Sequence, residues 1–143
     1  MSLLQERSFF HEGMREFQDE LDGRRVADAI ERHRKHYSLW DSERELIQGA
    51  QFFFIASAFR EYVDCSIKSG DPGFVKIISE NVIEYPEYDG NSMYRTLGNI
   101  KRNPNVGLLF VKEQPHSHQW KSVHSHGTGI SGTAFWREGR LTN

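Results

Sequence analysis

Residues 70–111 read GDPGFVKIISENVIEYPEYDGNSMYRTLGNIKRNPNVGLLFV, and the order of elements in this stretch decides the fold. Phe74–Ile78 and Val82–Tyr85 are short runs of β-branched and aromatic residues separated by Ser79, Glu80 and Asn81, so they read as two strands. Asp89-Gly90-Asn91-Ser92 then breaks the sheet. Met93, Leu97 and Ile100 recur at helical spacing to about Arg102, with Asn91 or Ser92 as the natural N-cap. Asn103-Pro104 ends that helix, because a residue before proline is pushed out of the α region. Val106–Val111, VGLLFV, returns as a buried strand.

Upstream, Phe52–Phe59 (FFFIASAF) is too apolar for an exposed strand and too short for an ordinary helix, so it is expected to be buried on both faces. Tyr62–Ser69 follows after Arg60-Glu61, which predicts a hairpin although the turn is not of the Asn-Gly type. The four strands between Phe52 and Tyr85 read as a meander, favouring an antiparallel barrel or sandwich. Residues 12–36 have helical periodicity, with Met14, Phe17 and Leu21 and then Val26 and Ile30, and Gly23 divides them into two helices. Ser42 and Glu45 form an S-x-x-E capping box ahead of Leu46, Ile47 and Ala50. The expected class is mainly β with flanking α-helices: a helical segment over 1–51 packing on the barrel, a sheet domain over 52–143, and a loop at 113–129.

The chain of 143 residues suits a single structural domain. Its net charge of −2 and pI near 6.4 give no electrostatic footprint for nucleic acid. One cysteine, Cys65, excludes an internal disulfide and fits a reducing, cytoplasmic setting, where its simplest role is a small strand residue. The first residues lack the basic and apolar regions of a secretory signal, and no apolar run approaches the roughly 20 residues that span a bilayer. No membrane or nucleic-acid partner is expected.

The segment before the Met93–Arg102 helix presents a candidate anion site. Unpaired N–H groups at a helix start and the positive end of its dipole favour a phosphate. Arg95 in the first turn opposes that dipole by about a few tenths of a kcal/mol, so its placement hints at an anion that outweighs the cost. Thr96 adds a hydroxyl and Lys76 a second cation. The plainer reading makes Arg95 a solvated surface residue, turns Thr96 to the core and leaves Asn91 a cap. His116, His118, His124 and His126 have strand-like i, i+2 spacing conceivable for zinc or nickel. They lack the tighter ligand pattern of structural zinc, and no metal site is assigned. His33 and His36 read as partners of a helix C-terminus.

The pattern DGN-x-M-x-R-[ST]-x-GNI-x-x-NP-x-VGLLF, with GDPGFVKII and YPEY before it and FHEGMREFQDELDGRR near the N-terminus, resembles the FMN-binding split-barrel family related to pyridoxamine 5'-phosphate oxidase. The likeness covers roughly residues 9–111. It implies a six-stranded antiparallel split β-barrel, a homodimer with FMN in a cleft between subunits, and flavin-mediated electron transfer to a small organic substrate. A non-catalytic flavin- or haem-binding sensor on the same barrel is the alternative. Carried over, Val75 and Lys76 would lie along the isoalloxazine edge and Tyr85 with Pro86 would line the ring. Asn91, Arg95 and Thr96 would hold the phosphate, with Asn99 close by. The chemistry would then belong to the flavin, so no side chain is assigned as acid or base. The family usually has a longer C-terminal half; after about Lys112 this chain departs from it, which implies a barrel incomplete at that end. ISGTAFW at 130–136 is placed as a late counterpart of the next strand. FWREGRL lacks the His-Asp-Arg of the true oxidases' substrate motif, so pyridoxamine phosphate oxidation is not expected.

Overall fold

Strand β1 (Phe52–Phe59) carries the sheet, with β2 (Tyr62–Ser69) antiparallel on one side and β5 (Val106–Lys112) antiparallel on the other. A further strand, β6 (Lys121–Ser125), pairs with β5, giving the order β2-β1-β5-β6. A separate ladder joins β3 (Lys76–Ser79) to β4 (Val82–Glu84). The chain also forms four helices, α1 (Glu12–Glu20), α2 (Arg24–Arg34), α3 (Asp41–Gly49) and α4 (Arg95–Arg102), of which α3 and α4 flank the strands. This computed structural model describes residues 8–88, 91–112 and the backbone of 121–125. The fold is thus an antiparallel sheet with flanking helices.

The chain divides into two units, one ending at Tyr37 and the other starting at Ser38. In the first, α1 and α2 form an ion-paired hairpin in which neither helix has a buried residue. Arg15 bonds Asp28 at 2.7 Å, and Glu31 accepts from the Phe9 N–H and the Ser8 hydroxyl. Arg24 clasps Asp19, and this hydrogen bond holds the Asp19 carboxyl below its usual range. Gly23 precedes α2, as the periodicity predicts.

The second unit owes its core to alternation along β1. Phe53, Ile55 and Ser57 point inward, while Phe52 is 36% exposed and Ala56 is open to solvent. The expectation of a strand buried on both faces is therefore corrected: among the described residues one face of FFFIASAF is covered. Its apolar outer residues misled the reading, because a run without polar breaks hides the period of two. Phe53 is fully enclosed, stacked on Phe110 at 4.9 Å and on Phe74 at 6.0 Å, with Tyr85 edge-on at 5.0 Å. Ile47, Val75, Ile83, Ile100, Val106 and Leu108 complete the surroundings. Offset aromatic contacts of this kind add about 0.5–1.5 kcal/mol each beyond their buried area.

Two-residue closure at Arg60-Glu61 makes the predicted hairpin, with Arg60 in the left-handed region at φ 53°. The predicted four-strand meander is not formed. Asp71-Pro72-Gly73-Phe74 is a tight turn, in which Phe74 N–H donates to Asp71 C=O at 2.9 Å and Gly73 takes φ 91°. Proline at the second position and a positive-φ glycine at the third are what such a turn requires. It carries the chain out of register with β2, and β1 takes β5 as its second neighbour instead.

Helix α3 begins at Asp41, one residue before the predicted cap. The closing contact is the Glu43 carboxylate accepting the Trp40 N–H at 2.9 Å, so Ser42 and Glu45 do not form the expected box. Ser42 already lies within the first turn, where its side chain has no cap position to fill. Helix α3 packs on β3 and β5, and α4 on β1 and β2. No helix among the described residues is long and apolar enough to cross a membrane.

Candidate functional site

Helix α4 starts later than its periodicity predicts. Arg95 is its first residue and Tyr94, in the left-handed region at φ 49°, precedes it. Asn91 does not cap the helix; its Oδ1 accepts the Met93 N–H at 3.1 Å, an Asx turn two residues upstream. Ser92 also has positive φ, at 57°. These two left-handed residues unwind the segment where a helical start at Met93 was expected.

From Arg95 onward, one face of α4 is polar and lies against the β1–β2 hairpin. Thr96 Oγ1 is 3.2 Å from both Asp64 Oδ2 and Ser66 Oγ, and Ser66 Oγ donates to the same Asp64 oxygen at 2.5 Å. Arg95 Nε is 3.4 Å from Asp64 Oδ1, and an Arg95 amino group donates to the Val63 carbonyl at 3.2 Å. One turn further on, Asn99 Nδ2 donates to Ser57 Oγ at 3.3 Å and to the Tyr62 carbonyl at 3.1 Å. Past the helix end, Asn103 Nδ2 donates to the Ala58 carbonyl at 2.7 Å. Ser57, Asp64, Thr96 and Asn99 are all buried, while the Arg95 side chain remains 58% exposed.

This network explains why polar residues sit between a helix and a sheet. Buried polar groups are tolerated when hydrogen-bonded, and a buried carboxylate requires donors or a cation. Asp64 has both. The anion that Arg95's position called for is thus supplied at least in part by the chain itself.

The remaining predicted residues lie elsewhere in the second unit. Val75 is 1% exposed and belongs to the core. Lys76, the first residue of β3, is exposed opposite Glu84. Tyr85 is half-buried against Phe53, and burial, with a smaller contribution from the Glu87 charge, raises its phenol above the ordinary tyrosine value. Pro86 is exposed. The structure therefore brings Arg95, Thr96 and Asn99 together on α4 and leaves Val75 and Tyr85 in the aromatic core.

Asp64, Ser57 and Ser66 were missed by the sequence reading. Their signal was present: Ser57 is the polar break in the inward set Phe53, Ile55, Ser57 of β1, and on β2 the less exposed alternating set Asp64, Ser66, Lys68 is polar throughout, the mark of a polar network facing a helix. No group of three or more metal-ligating side chains occurs among the described residues. The His116–His126 pattern lies outside them, except for the backbone of His124 in β6, and so does the 130–136 segment. Cys65 is exposed on β2.

No protein-family model, curated protein or solved structure matches the chain.

Proposed function

We propose that this chain is an FMN-binding protein of the split-barrel kind, related to pyridoxamine 5'-phosphate oxidase, that passes electrons through the flavin to a small organic acceptor in a cytoplasmic setting. The motif DGN-x-M-x-R-[ST]-x-GNI-x-x-NP supports it, now joined to the position of Arg95. Arg95 is the observation that carries the reading. Its Nε and one amino group face Asp64 and Val63, while more than half of the side chain is open to solvent. A guanidinium has five N–H donors in a fixed fork, so donors remain for a phosphate.

The fit of the other residues divides. Asn91 and Lys76 are exposed and able to contribute to an anion. Thr96 and Asn99 have donors committed to the β1–β2 hairpin, so in this reading they position Arg95 and the helix instead of touching the phosphate. Val75 acts through its backbone or through packing, because its side chain is enclosed. Tyr85 and Pro86 line the ring from the edge of the aromatic core. When bound, FMN would supply the electron-transfer chemistry; the protein's part is to hold and orient it.

A homodimer belongs to the proposal, as does completion of the two sheets into a barrel. On the outer face of the sheet, Val63, Ile67 and Phe52 are exposed beside the half-buried Phe54, Leu109 and Val111. A contiguous apolar face of this sort favours coverage by another protein surface. Absorption between 300 and 600 nm, recorded on the purified protein before and after FMN and through gel filtration, tests the reading. Flavin eluting with a two-chain species supports it, and a donor–acceptor screen then separates an enzyme from a flavin or haem sensor. Failure to retain FMN at any concentration tried would remove it.

A further inference from the structure

Neither α1 nor α2 buries a single residue, yet both carry an apolar stripe. Met14, Phe17 and Leu21 line one side of α1 and its end, and Val26 and Ile30 line α2; all five are exposed, Phe17 by 67% and Leu21 by 74%. The helices meet each other through other residues, Arg15 with Asp28 and Asp19 with Arg24. At 3.6 residues per turn, Val26 and Ile30 fall on the side of α2 opposite Asp28 and Glu31. Together with Ala29 and His33 they form a shallow groove edged by Arg25 and Arg32.

The charges indicate what fits this groove. Arg25 and Arg32 make no ion pair or hydrogen bond through their side chains among the described residues, and the same holds for Glu16 and Glu20 on α1. Glu16 and Glu20 run along one edge of the Met14-Phe17-Leu21 stripe. Set antiparallel on α2, an α1 stripe aligns in three layers, Met14 at His33, Phe17 at Ile30 and Leu21 at Val26. Turning a helix end over end keeps its right-hand edge on the right, so in this register Glu16 comes beside Arg32 and Glu20 beside Arg25. Apolar layers with opposite charges on the flanks are how paired helices choose partner and orientation. The chain's own α1 engages the other side of α2.

We infer that residues 12–34 are a self-association element in which the α2 groove takes the acidic, apolar edge of α1 from a second copy of this chain. This surface is separate from the sheet face considered above, and flavin plays no part in it. Two full-length variants, both with Cys65→Ser, test it: one carries Phe17→Cys and the other Ile30→Cys. Mixed and oxidised, they should form a disulfide linking one chain of each kind, identified by mass spectrometry of the joined peptides. Glu16→Lys with Glu20→Lys in the first chain should lower the yield by about tenfold, and Arg25→Glu with Arg32→Glu in the second should restore it. If far-UV circular dichroism shows that either cysteine variant has lost helix, Leu21→Cys with Val26→Cys makes the same test one layer along. Absence of the mixed disulfide between helical variants would overturn the inference, as would a yield indifferent to charge reversal. So would closure of the disulfide within a single chain carrying both Phe17→Cys and Ile30→Cys.

Discussion

Thr96 Oγ1 lies 3.2 Å from Oδ2 of Asp64, joining the first turn of α4 to the middle of β2 across 32 residues of sequence. Because Asp64 is also held by Ser66 and Arg95, its carboxylate is the point at which helix and hairpin are fastened. Asp64→Ala is expected to destabilise the protein by about 2–4 kcal/mol in urea unfolding, since several donors lose a charged acceptor at once. Thr96→Val should cost less, about 1 kcal/mol, and the two losses should be non-additive in a double-mutant cycle. Simple addition would show that the two residues act independently.

Phe53→Ala removes the ring at the centre of the aromatic cluster. With Phe53 at 0% exposure, a loss of about 3–5 kcal/mol is expected, measured as a lower unfolding midpoint. Phe52→Ala, one residue away on the open face, should cost under about 1 kcal/mol in dilute monomer. Equal losses would contradict the inward alternation of β1.

Arg60 occupies the left-handed region at φ 53° in a two-residue turn. That conformation costs an L-residue about 1–2 kcal/mol, and glycine is free of it. Arg60→Gly should therefore raise stability by up to about 1 kcal/mol, after the greater entropy of glycine in the unfolded chain is subtracted. A fall in melting temperature would show that Arg60 contributes more through its stacking on Phe59 than the turn loses to strain.

Tyr85 should ionise above the ordinary tyrosine range when absorbance near 295 nm is followed with rising pH, the wild-type trace compared with that of Tyr85→Phe. Its phenol is raised by burial and by the Glu87 charge, so the folded state holds this proton more tightly than the unfolded chain. The resulting stability is fully present below the ordinary tyrosine value of about 10 and is lost as pH climbs from there toward the folded value. Tyr85→Phe should flatten that alkaline decline. An unchanged decline would assign it to another group.

Much of this architecture was legible in the chain. The Gly23 break, the Arg60-Glu61 hairpin, the stop at Asn103-Pro104 and the strand at Val106 all follow from local chemistry: backbone freedom at glycine, strand-forming residues on both sides of a short connection, and the steric effect of proline on its predecessor. Strand neighbours were not legible, because nothing in Tyr62–Ser69 or Phe74–Ile78 says that β1 will choose β5. Pairing is a long-range choice, and in the folded chain the β1–β5 ladder goes with the stacking of Phe110 on Phe53. Site residues were read in part. Arg95 was singled out because its place opposes the helix dipole, but the partner, Asp64, sits 31 positions earlier and identifies itself only once α4 is laid on the hairpin. The exact start of α4 was missed because the left-handed Ser92 and Tyr94 are not types that announce a positive φ.

The proposed function turns on the exposed edge of Arg95, which would receive the phosphate of FMN. Fluorescence titration with FMN and with riboflavin, which lacks the phosphate, tests it on the full chain and on Arg95→Ala. FMN should bind the wild-type protein more tightly than riboflavin by a margin that Arg95→Ala removes, a loss of about 1.5–3 kcal/mol or roughly 10- to 100-fold in affinity. Equal affinity for the two flavins in the wild-type protein, or an FMN affinity untouched by Arg95→Ala, would contradict the account.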